Sequence, residues 1–285
     1  MKRLFFLILM IHSALQGAKG DEPEKIGNYL LPTSQQPGPL YGFGQNIVDK
    51  HDLQFFLYLN QRGGNQVNFT DLMPTILYGI RDDLSLFIGI PFTPKYKMYC
   101  HNSSGMEDIM FQLEYAFINK KTLKSITQAT VVGNIELPTG SSKKNPHTGF
   151  GAPSFFLGLT LSHSAHYWYA WIQSGTTLTL EHHKTKFGNQ FFYQGGIEGV
   201  ITTRAGWLFA WMVELFGIYE QKDKICGMKD KNSGGNTFYI GPSLWISSEK
   251  LIFQLGIAAP ATQHLFGKQP KISYFLAADF GYKFN

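Results

Sequence analysis

Six ionisable residues occur in otherwise apolar segments, at the alternate positions that a β-strand turns to one face. They are Glu114, Glu136, Glu198, Glu214, Asp279 and Lys283. Four glutamines share these faces: Gln112, Gln128, Gln194 and Gln254. If these faces line a water-filled interior, the acidic excess favours cations or neutral polar solutes. The alternative is a structural network of paired charges around a plug or folded loops, because unpaired charge is costly in a dry interior.

Six phenylalanines fall on the same polar faces rather than on the apolar ones. They are Phe56, Phe87, Phe156, Phe192, Phe216 and Phe275. An interior lined with aromatic rings would suit apolar solutes, since ligand cavities are lined mostly by apolar and aromatic side chains. The same rings could equally be interior packing, and the sequence does not separate the two interpretations.

Nucleophilic catalysis needs a nucleophile and a base within hydrogen-bond reach of each other. The nearest candidates are Ser162, His163, Ser164 and His166. They cluster at a predicted tight turn, where small polar residues are common. The sequence therefore predicts no catalytic residues and no enzyme activity.

Metal and cofactor motifs are also missing from the sequence. His182 and His183 are adjacent, and adjacent side chains of an extended strand point to opposite faces, which makes them a poor zinc pair. No phosphate-binding loop, dinucleotide fingerprint or CxxC motif occurs. We therefore expect neither a metal nor a cofactor.

Twelve segments alternate between apolar and polar positions, as β-strands with one apolar face do. They span residues 53–60, 72–80, 84–90, 109–117, 128–137, 155–162, 167–180, 190–198, 207–215, 238–246, 251–257 and 272–284. Strands of soluble sheets usually run about five or six residues, whereas crossing a bilayer takes about nine to eleven tilted residues. Charged residues make up only 16 % of the chain, against about 25 % in typical soluble domains. Both features favour membrane-spanning strands.

The connections between these segments alternate between short and long along the chain. The short ones are residues 81–83, 119–124, 164–165, 202–206 and 247–249, and the long ones are 61–70, 93–105, 138–151, 181–188, 222–235 and 259–271. In an up-and-down meander all long connections then lie at one rim, as in bacterial outer-membrane barrels with short periplasmic turns. The sequence predicts an all-β fold: a transmembrane up-and-down antiparallel β-barrel of about 12 strands.

The N-terminus predicts an exported protein. Residues 1–20 resemble a signal peptide, with Lys2 and Arg3 before an apolar core and small residues flanking Lys19 for cleavage. Without them the net charge falls from +5 to +2, so charge gives no reason to expect nucleic acid. Residues 21–50 lack periodicity, so we expect them to form an N-terminal extension that lies in the periplasm or inside the barrel. Residues 51–285 predict the outer-membrane β-barrel.

Cys100 and Cys226 are the two cysteines. An exported chain meets an oxidising compartment, where disulfides persist. The two residues fall in different predicted long loops at the same rim, so they could form a disulfide that ties the loops across the mouth. Free thiols, or bonds between neighbouring molecules, are the alternatives.

Several segments together resemble one family. They are the hairpin at 74–91, then 107–115, 137–140, 149–155, 187–190 and 232–236, and the closing residues 280–284. In this order they resemble the bacterial outer-membrane "MetA-pathway of phenol degradation" family, across residues 50–284. The resemblance implies outer-membrane passage of small molecules, aromatic ones among them. The family usually ends on an aromatic residue that the barrel-assembly machinery is thought to read, whereas here Asn285 follows Phe284.

From these features we expect passive or facilitated transport of a small-molecule solute across the outer membrane of a bacterium with two membranes. The expected partners are outer-membrane lipid and, through the C-terminal strand, the barrel-assembly machinery. One alternative is a surface-exposed structural or adhesin barrel that transports nothing. The other is a barrel enzyme that modifies lipids.

Overall fold

The computed structural model describes residues 27–284 except Gln45 and Leu123. The predicted signal peptide lies outside the described residues. Two 3₁₀ helices, η1 (Gly27–Leu30) and η2 (Thr33–Gln35), precede the first strand. Among the described residues, no helix combines the length and the apolar character that crossing a bilayer requires.

The rest of the described chain is built from β-strands. They are β1 (Leu53–Gly64), β2 (Val67–Arg81), β3 (Leu84–Gly89), β4 (Phe92–Met98), β5 (His101–Met106), β6 (Ile109–Lys121), β7 (Ser125–Leu137), β8 (Ser154–Ala165), β9 (Trp168–Thr179), β10 (Thr185–Lys186), β11 (Gln190–Arg204), β12 (Trp207–Glu220), β13 (Lys224–Ile225), β14 (Met228–Lys229), β15 (Gly235–Ser247), β16 (Leu251–Leu265) and β17 (Ile272–Lys283).

The long strands close into an antiparallel barrel, and β1 pairs with both β2 and β17. β3 and β4 together form one barrel strand, broken at Ile90 and Pro91, because both pair with β2. β5 and β6 form the next, broken at Glu107 and Asp108. Counted this way, the described chain forms the predicted barrel of twelve strands. Closure removes the unpaired sheet edges that a bilayer would not tolerate.

One rim, the tight-turn rim, carries the short connections 82–83, 122–124, 166–167, 205–206 and 248–250, and the third of these follows the predicted 164–165, which belong to β8. The opposite, long-loop rim carries the loops 138–153, 180–189, 221–234 and 266–271. The short strands β10, β13 and β14 form a small sheet within two of these loops. The prediction of long loops at 61–70 and 93–105 is wrong. The chain there continues as paired strand and reverses at Asn65-Gln66 and at Tyr99-Cys100, and 259–265 likewise belongs to β16.

The reason for these misses is that the strand ends have lost their apolar face. Beyond the lipid, both faces of a strand meet water, so the alternation of apolar and polar residues fades while the backbone ladder continues. The signal that marks the membrane-spanning part therefore does not mark the end of a strand.

The apolar strand faces point outward. Leu157, Ile172 and Leu255 are 61 %, 63 % and 62 % exposed, although they are large and apolar. Exposed aromatic residues lie toward both rims: Tyr115, Phe117, Trp168, Phe253 and Phe284 near the tight turns, and Phe92, Phe111, Phe155, Phe191 and Tyr219 nearer the long loops. An apolar band between two aromatic girdles is the outer surface of a transmembrane barrel.

Residues 27–50, which we call the plug, run inside the barrel. The plug enters at the β8–β9 turn, where the backbone N–H of Asn28 donates to the carbonyl of His166 at 2.7 Å. It rises to mid-barrel at Phe43, which packs on β8. It then returns to the same rim, where the backbone N–H of Lys50 donates to the β2–β3 turn at 2.9 Å. The plug therefore begins and ends at the tight-turn rim.

Candidate functional site: the barrel interior

A buried glutamate holds the highest part of the plug. On β12, Oε1 of Glu214 accepts the backbone N–H of Leu40 at 2.9 Å, and Oε2 accepts that of Tyr41 at 3.1 Å. A segment outside any sheet has no ladder partner for its N–H groups, and burying such a group unpaired costs free energy. The carboxylate therefore accepts the backbone hydrogen bonds that a neighbouring strand would accept in a sheet.

Two more of the sequence-predicted acids also contact the plug. On β6, Oε2 of Glu114 accepts the backbone N–H of Asn46 at 3.0 Å, and Oε1 accepts its side-chain amide at 2.7 Å. On β11, Oε2 of Glu198 accepts from Nδ2 of Asn28 at 3.3 Å. Both carboxylates belong to nearly inaccessible side chains. Three of the predicted interior acids thus bind the protein's own N-terminal segment.

Aromatic packing fixes the top of the plug. The ring of Tyr41 stacks on Phe216 with 4.6 Å between centroids and meets Phe275 edge-on at 5.0 Å. The ring of Phe43 meets Phe156 edge-on at 4.6 Å. Each such pair contributes about 0.5–1.5 kcal/mol beyond the burial of its area. Phe156, Phe216 and Phe275, which the alternation placed on interior faces, therefore form the seat of the plug.

A close approach of backbone to side chain occurs at Gly42. The side-chain amide of Gln173 on β9 pairs with the backbone of Phe43. It donates to the Phe43 carbonyl at 2.5 Å and accepts the Phe43 N–H at 3.0 Å. A Cβ on Gly42 would lie 2.0 Å from the terminal amide of Gln173 and 2.8 Å from Cβ of Pro39. A larger residue at this position would therefore displace the Gln173 amide or shift the plug.

A cavity of about 810 Å³ lies beside and above the plug. At the long-loop rim its lining includes Gln269 and Pro270, and toward the tight-turn rim it includes Gln54 and Ile252, each the second residue of its strand. The cavity therefore follows most of the barrel length along one side of the plug. Its wall at the top of the plug is aromatic: Tyr41, Phe43, Phe156, Phe192, Phe216, Tyr239 and Phe275.

The cavity lining is acidic. Its carboxylates are Asp71, Glu107, Asp108, Glu136, Glu220 and Asp279. Among the described residues, Arg62 is the one lysine or arginine in the lining. Its guanidinium carbon lies 4.7 Å from the ring centroid of Phe275 and 5.8 Å from that of Phe69. The described lining therefore contains six carboxyl groups and one guanidinium.

Two of these acids stand at the mouth, between β5 and β6. Burial raises the pKa of Glu107 to about 7, although the hydrogen bond from the Thr93 hydroxyl favours its charged form. Asp108 accepts the backbone N–H groups of Phe150 at 2.7 Å and Gly140 at 2.8 Å. These contacts fold the 138–153 loop over the mouth. Burial raises the pKa of Asp108, and the two hydrogen bonds lower it.

The remaining sequence-predicted charges are spread along the interior. Glu136 accepts from the hydroxyl of Ser154 at 2.5 Å. Lys283 lies near the tight-turn rim, where its ammonium pairs with Asp52 at 2.5 Å. Asp279 lies at mid-barrel and lines the cavity. All six therefore face inward, but the structure does not gather them into one site.

Arg62, Asp71 and Glu107 are not predicted as interior residues, because Arg62 falls in the predicted loop 61–70 and the other two fall between predicted loops and strands. A signal for Arg62 exists: the inward series Phe56, Tyr58 continues unbroken to residue 62 on the same alternation. The plug residues had no such signal, because an irregular segment has no period to detect.

Of the four serine and histidine candidates, Ser162, His163 and Ser164 lie on β8, and His166 lies in the turn that follows it. Ser162 and Ser164 are buried and point inward. His163 points outward, with Nδ1 2.8 Å from Oγ1 of Thr127. The two serine hydroxyls and the His163 imidazole therefore lie on opposite faces of the barrel wall.

The prediction that His182 and His183 point apart is wrong. Their ring centroids are 4.0 Å apart, because a positive φ of 46° at His183 turns the chain back on itself. Two histidines alone do not complete a zinc site. Within the described part of the chain, no group of three or more histidine, cysteine or acidic side chains could hold a metal ion.

The thiols of Cys100 and Cys226 are both free and exposed, so the structure lacks the disulfide that the sequence permitted. Cys100 lies at the β4–β5 turn and Cys226 at the β13–β14 turn. Six barrel strands separate these two connections in either direction around the barrel. The two loops therefore stand on opposite sides of the mouth.

The fold resembles solved outer-membrane proteins. The crystal structure of an outer membrane channel from Pseudomonas putida F1 aligns with a TM-score of 0.67 at 12 % identity, covering 85 % of this chain and 100 % of that chain. The structure of the NanC porin aligns with a TM-score of 0.47 at 12 % identity, covering 81 % and 99 %. No protein-family model matches the chain, and no curated protein matches it. The chain is an outer-membrane β-barrel, and its place in the phenol-degradation family stays a prediction.

Proposed function

We propose that this barrel is a passive or facilitated channel for small molecules, aromatic or hydrophobic compounds among them. The observation that carries the proposal is the cavity of about 810 Å³, whose lining runs from Gln269 at the long-loop rim to Gln54 near the tight turns. A barrel of twelve strands has room for such a passage, whereas about eight strands enclose only packed side chains or one small ligand.

The aromatic wall supports the choice of solute. Phe156, Phe192 and Phe275 line the passage where the plug narrows it, so a solute that passes there exchanges water for ring faces and edges. Aromatic groups gain more from this exchange than sugars do. The acidic lining also disfavours anions, because like charges repel most strongly where water is limited.

Osmotic swelling of proteoliposomes tests the proposal with two neutral solutes, methyl β-D-glucoside and phenyl β-D-glucoside. Neither crosses lipid readily, and they differ only in the group attached to the sugar, which is methyl in one and phenyl in the other. We expect the phenyl compound to enter at least as fast as the methyl compound despite its larger size. Loss of one aromatic contact of about 0.5–1.5 kcal/mol in Phe156→Ala should lower the ratio of the phenyl rate to the methyl rate about two- to tenfold, whereas loosening the plug, on which Phe156 packs, would raise both rates.

Phe155→Ala is the matched control, since Phe155 faces outward and is 43 % exposed. It should leave both rates unchanged. No swelling with either solute would show that the barrel does not conduct, and would favour a structural or adhesive role. Swelling rates that depend on solute size alone would contradict the preference for aromatic solutes but would still support a channel.

A further inference from the structure

Asp279 is an interior carboxylate without a partner. It stands on β17, faces the barrel interior and lines the cavity. Within the described part of the chain it accepts no hydrogen bond and forms no ion pair, since Lys283 on the same strand pairs with Asp52 instead. An ionisable group at membrane depth is costly and usually marks a site of function.

Two unpartnered oxygens belong to other side chains that line the same cavity. Gln254 on β16 stands directly opposite Asp279 in the ladder. Its side chain is 3 % exposed, and its Nε2 donates to Ser243 at 3.3 Å and to the carbonyl of Gly38 at 3.4 Å. Its Oε1 is buried with no hydrogen-bond partner among the described residues. Buried acceptors without donors are rare in native proteins and require an explanation.

The second oxygen is the hydroxyl of Tyr41, which is likewise buried and unpartnered in the described structure. It lies against Gly256, where an added Cβ would be 2.8 Å from it. Gly256 pairs with Ala277, so two small residues flank the Gln254 and Asp279 pair on the inner face. Tyr41, Gln254 and Asp279 all line the cavity, and we call the part of the cavity wall that these three residues form the niche.

We propose that this niche binds the ammonium group of a small organic amine that enters through the cavity. A primary ammonium carries three N–H donors, which match the Asp279 carboxylate, Oε1 of Gln254 and the Tyr41 hydroxyl. The rings of Tyr41 and Phe275 lie beside the niche and favour a cation with an apolar group attached. The inference deepens the proposed channel function, on which it rests, by naming a class of solute.

An inorganic ion fits less well. The acidic side chains of the cavity are spread along its length, and no group of three or more in the described chain could hold a metal ion. One carboxylate with two neutral oxygens suits a single monovalent ammonium instead.

Calorimetric titration of the purified barrel in detergent micelles tests this site, with phenethylammonium as the probe and micelles alone as the blank. The neutral analogue 2-phenylethanol should bind about tenfold more weakly or worse, because hydrogen bonds to a charged group are the strong ones. Asp279→Asn should weaken binding of the amine by a similar factor. Gln254→Glu should strengthen binding of the amine several-fold, and damage to the structure would not produce this effect.

Glu249→Gln, which removes one negative charge from an exposed turn, is the matched control and should leave binding unchanged. Equal binding of amine and alcohol would overturn the proposal, as would unchanged amine affinity in both niche variants. If Asp279→Asn fails to fold, Gln254→Glu alone decides. The titration does not measure flux, so an absence of amine binding would leave the channel proposal standing. Amine binding without any swelling of proteoliposomes would reject only the channel.

Discussion

Asn46 donates twice to Glu114, through its backbone N–H at 3.0 Å and its side-chain amide at 2.7 Å. This two-point contact ties the descending arm of the plug to β6. The equivalent contact at the top of the plug comes from Glu214, and the one at its entry from Glu198. The barrel interior is therefore narrowed by a segment that carboxylates hold in place.

The first prediction concerns release of the plug. Glu214→Ala removes the acceptor for two backbone N–H groups, at Leu40 and Tyr41. Hydrogen bonds to a charged group contribute about 1.5–3 kcal/mol, so a displaced plug should become at least about tenfold more populated. Planar-bilayer recordings should show longer time in a state of higher conductance. Glu249→Gln is the control, and an unaltered conductance in Glu214→Ala would show that the plug does not limit the passage.

The second prediction uses two glycines of the plug. Gly42→Ala places a Cβ 2.0 Å from Gln173, whereas a Cβ at Gly38 meets nothing within 4 Å. We expect Gly42→Ala to displace the top of the plug and raise conductance, and Gly38→Ala to behave as the unmodified protein. Electrophoretic mobility of unheated samples should show a folded barrel in both. Equal conductance of the two variants would contradict the close packing seen at Gly42.

The third prediction concerns pH. Burial raises the pKa of Glu107 to about 7, so this carboxyl is mostly neutral at pH 6 and mostly charged at pH 8. The preference of the channel for cations over anions should therefore increase across this interval. His147 also lines the cavity, and burial lowers its pKa, which reduces its charge over this interval relative to an exposed histidine.

Reversal potentials in a salt gradient, recorded at several pH values, measure this preference. Glu107→Gln, which keeps the size and the contact with Thr93, should flatten the profile. A profile that persists in Glu107→Gln would assign the titration to another group.

The fourth prediction concerns assembly through the C-terminal strand, which we propose is what the barrel-assembly machinery recognises. Phe284 is 51 % exposed, and its ring meets Tyr282 edge-on at 5.1 Å. Its backbone N–H donates to the carbonyl of Leu53 at 3.0 Å, closing the barrel. Phe284→Ala keeps that backbone bond, so spontaneous folding into liposomes should be nearly unchanged. Assembly into outer membranes in cells should fall, and equal assembly of both proteins would contradict this role.

Residue patterns revealed the barrel because lipid and water demand different side chains on the two faces of each strand. Gln254 and Leu255, adjacent in sequence, are 3 % and 62 % exposed, as the alternation predicts. The same argument could not find the plug, whose backbone N–H groups bind carboxylates such as Glu214 rather than a ladder. It could not place Arg62 either, since the strand extends past the lipid and loses its apolar face there.

The plug leaves the barrel by the rim through which it entered, and Lys50 is followed within three residues by the first strand. No part of it is threaded through to the cell exterior. Withdrawal toward the periplasm would therefore require no chain to cross the membrane, and a pull on the N-terminal side of Gly27 would act directly on the contacts of Glu198, Glu214 and Glu114 in turn. In the proposed channel, a force applied from the tight-turn side alone would therefore be enough to displace the plug.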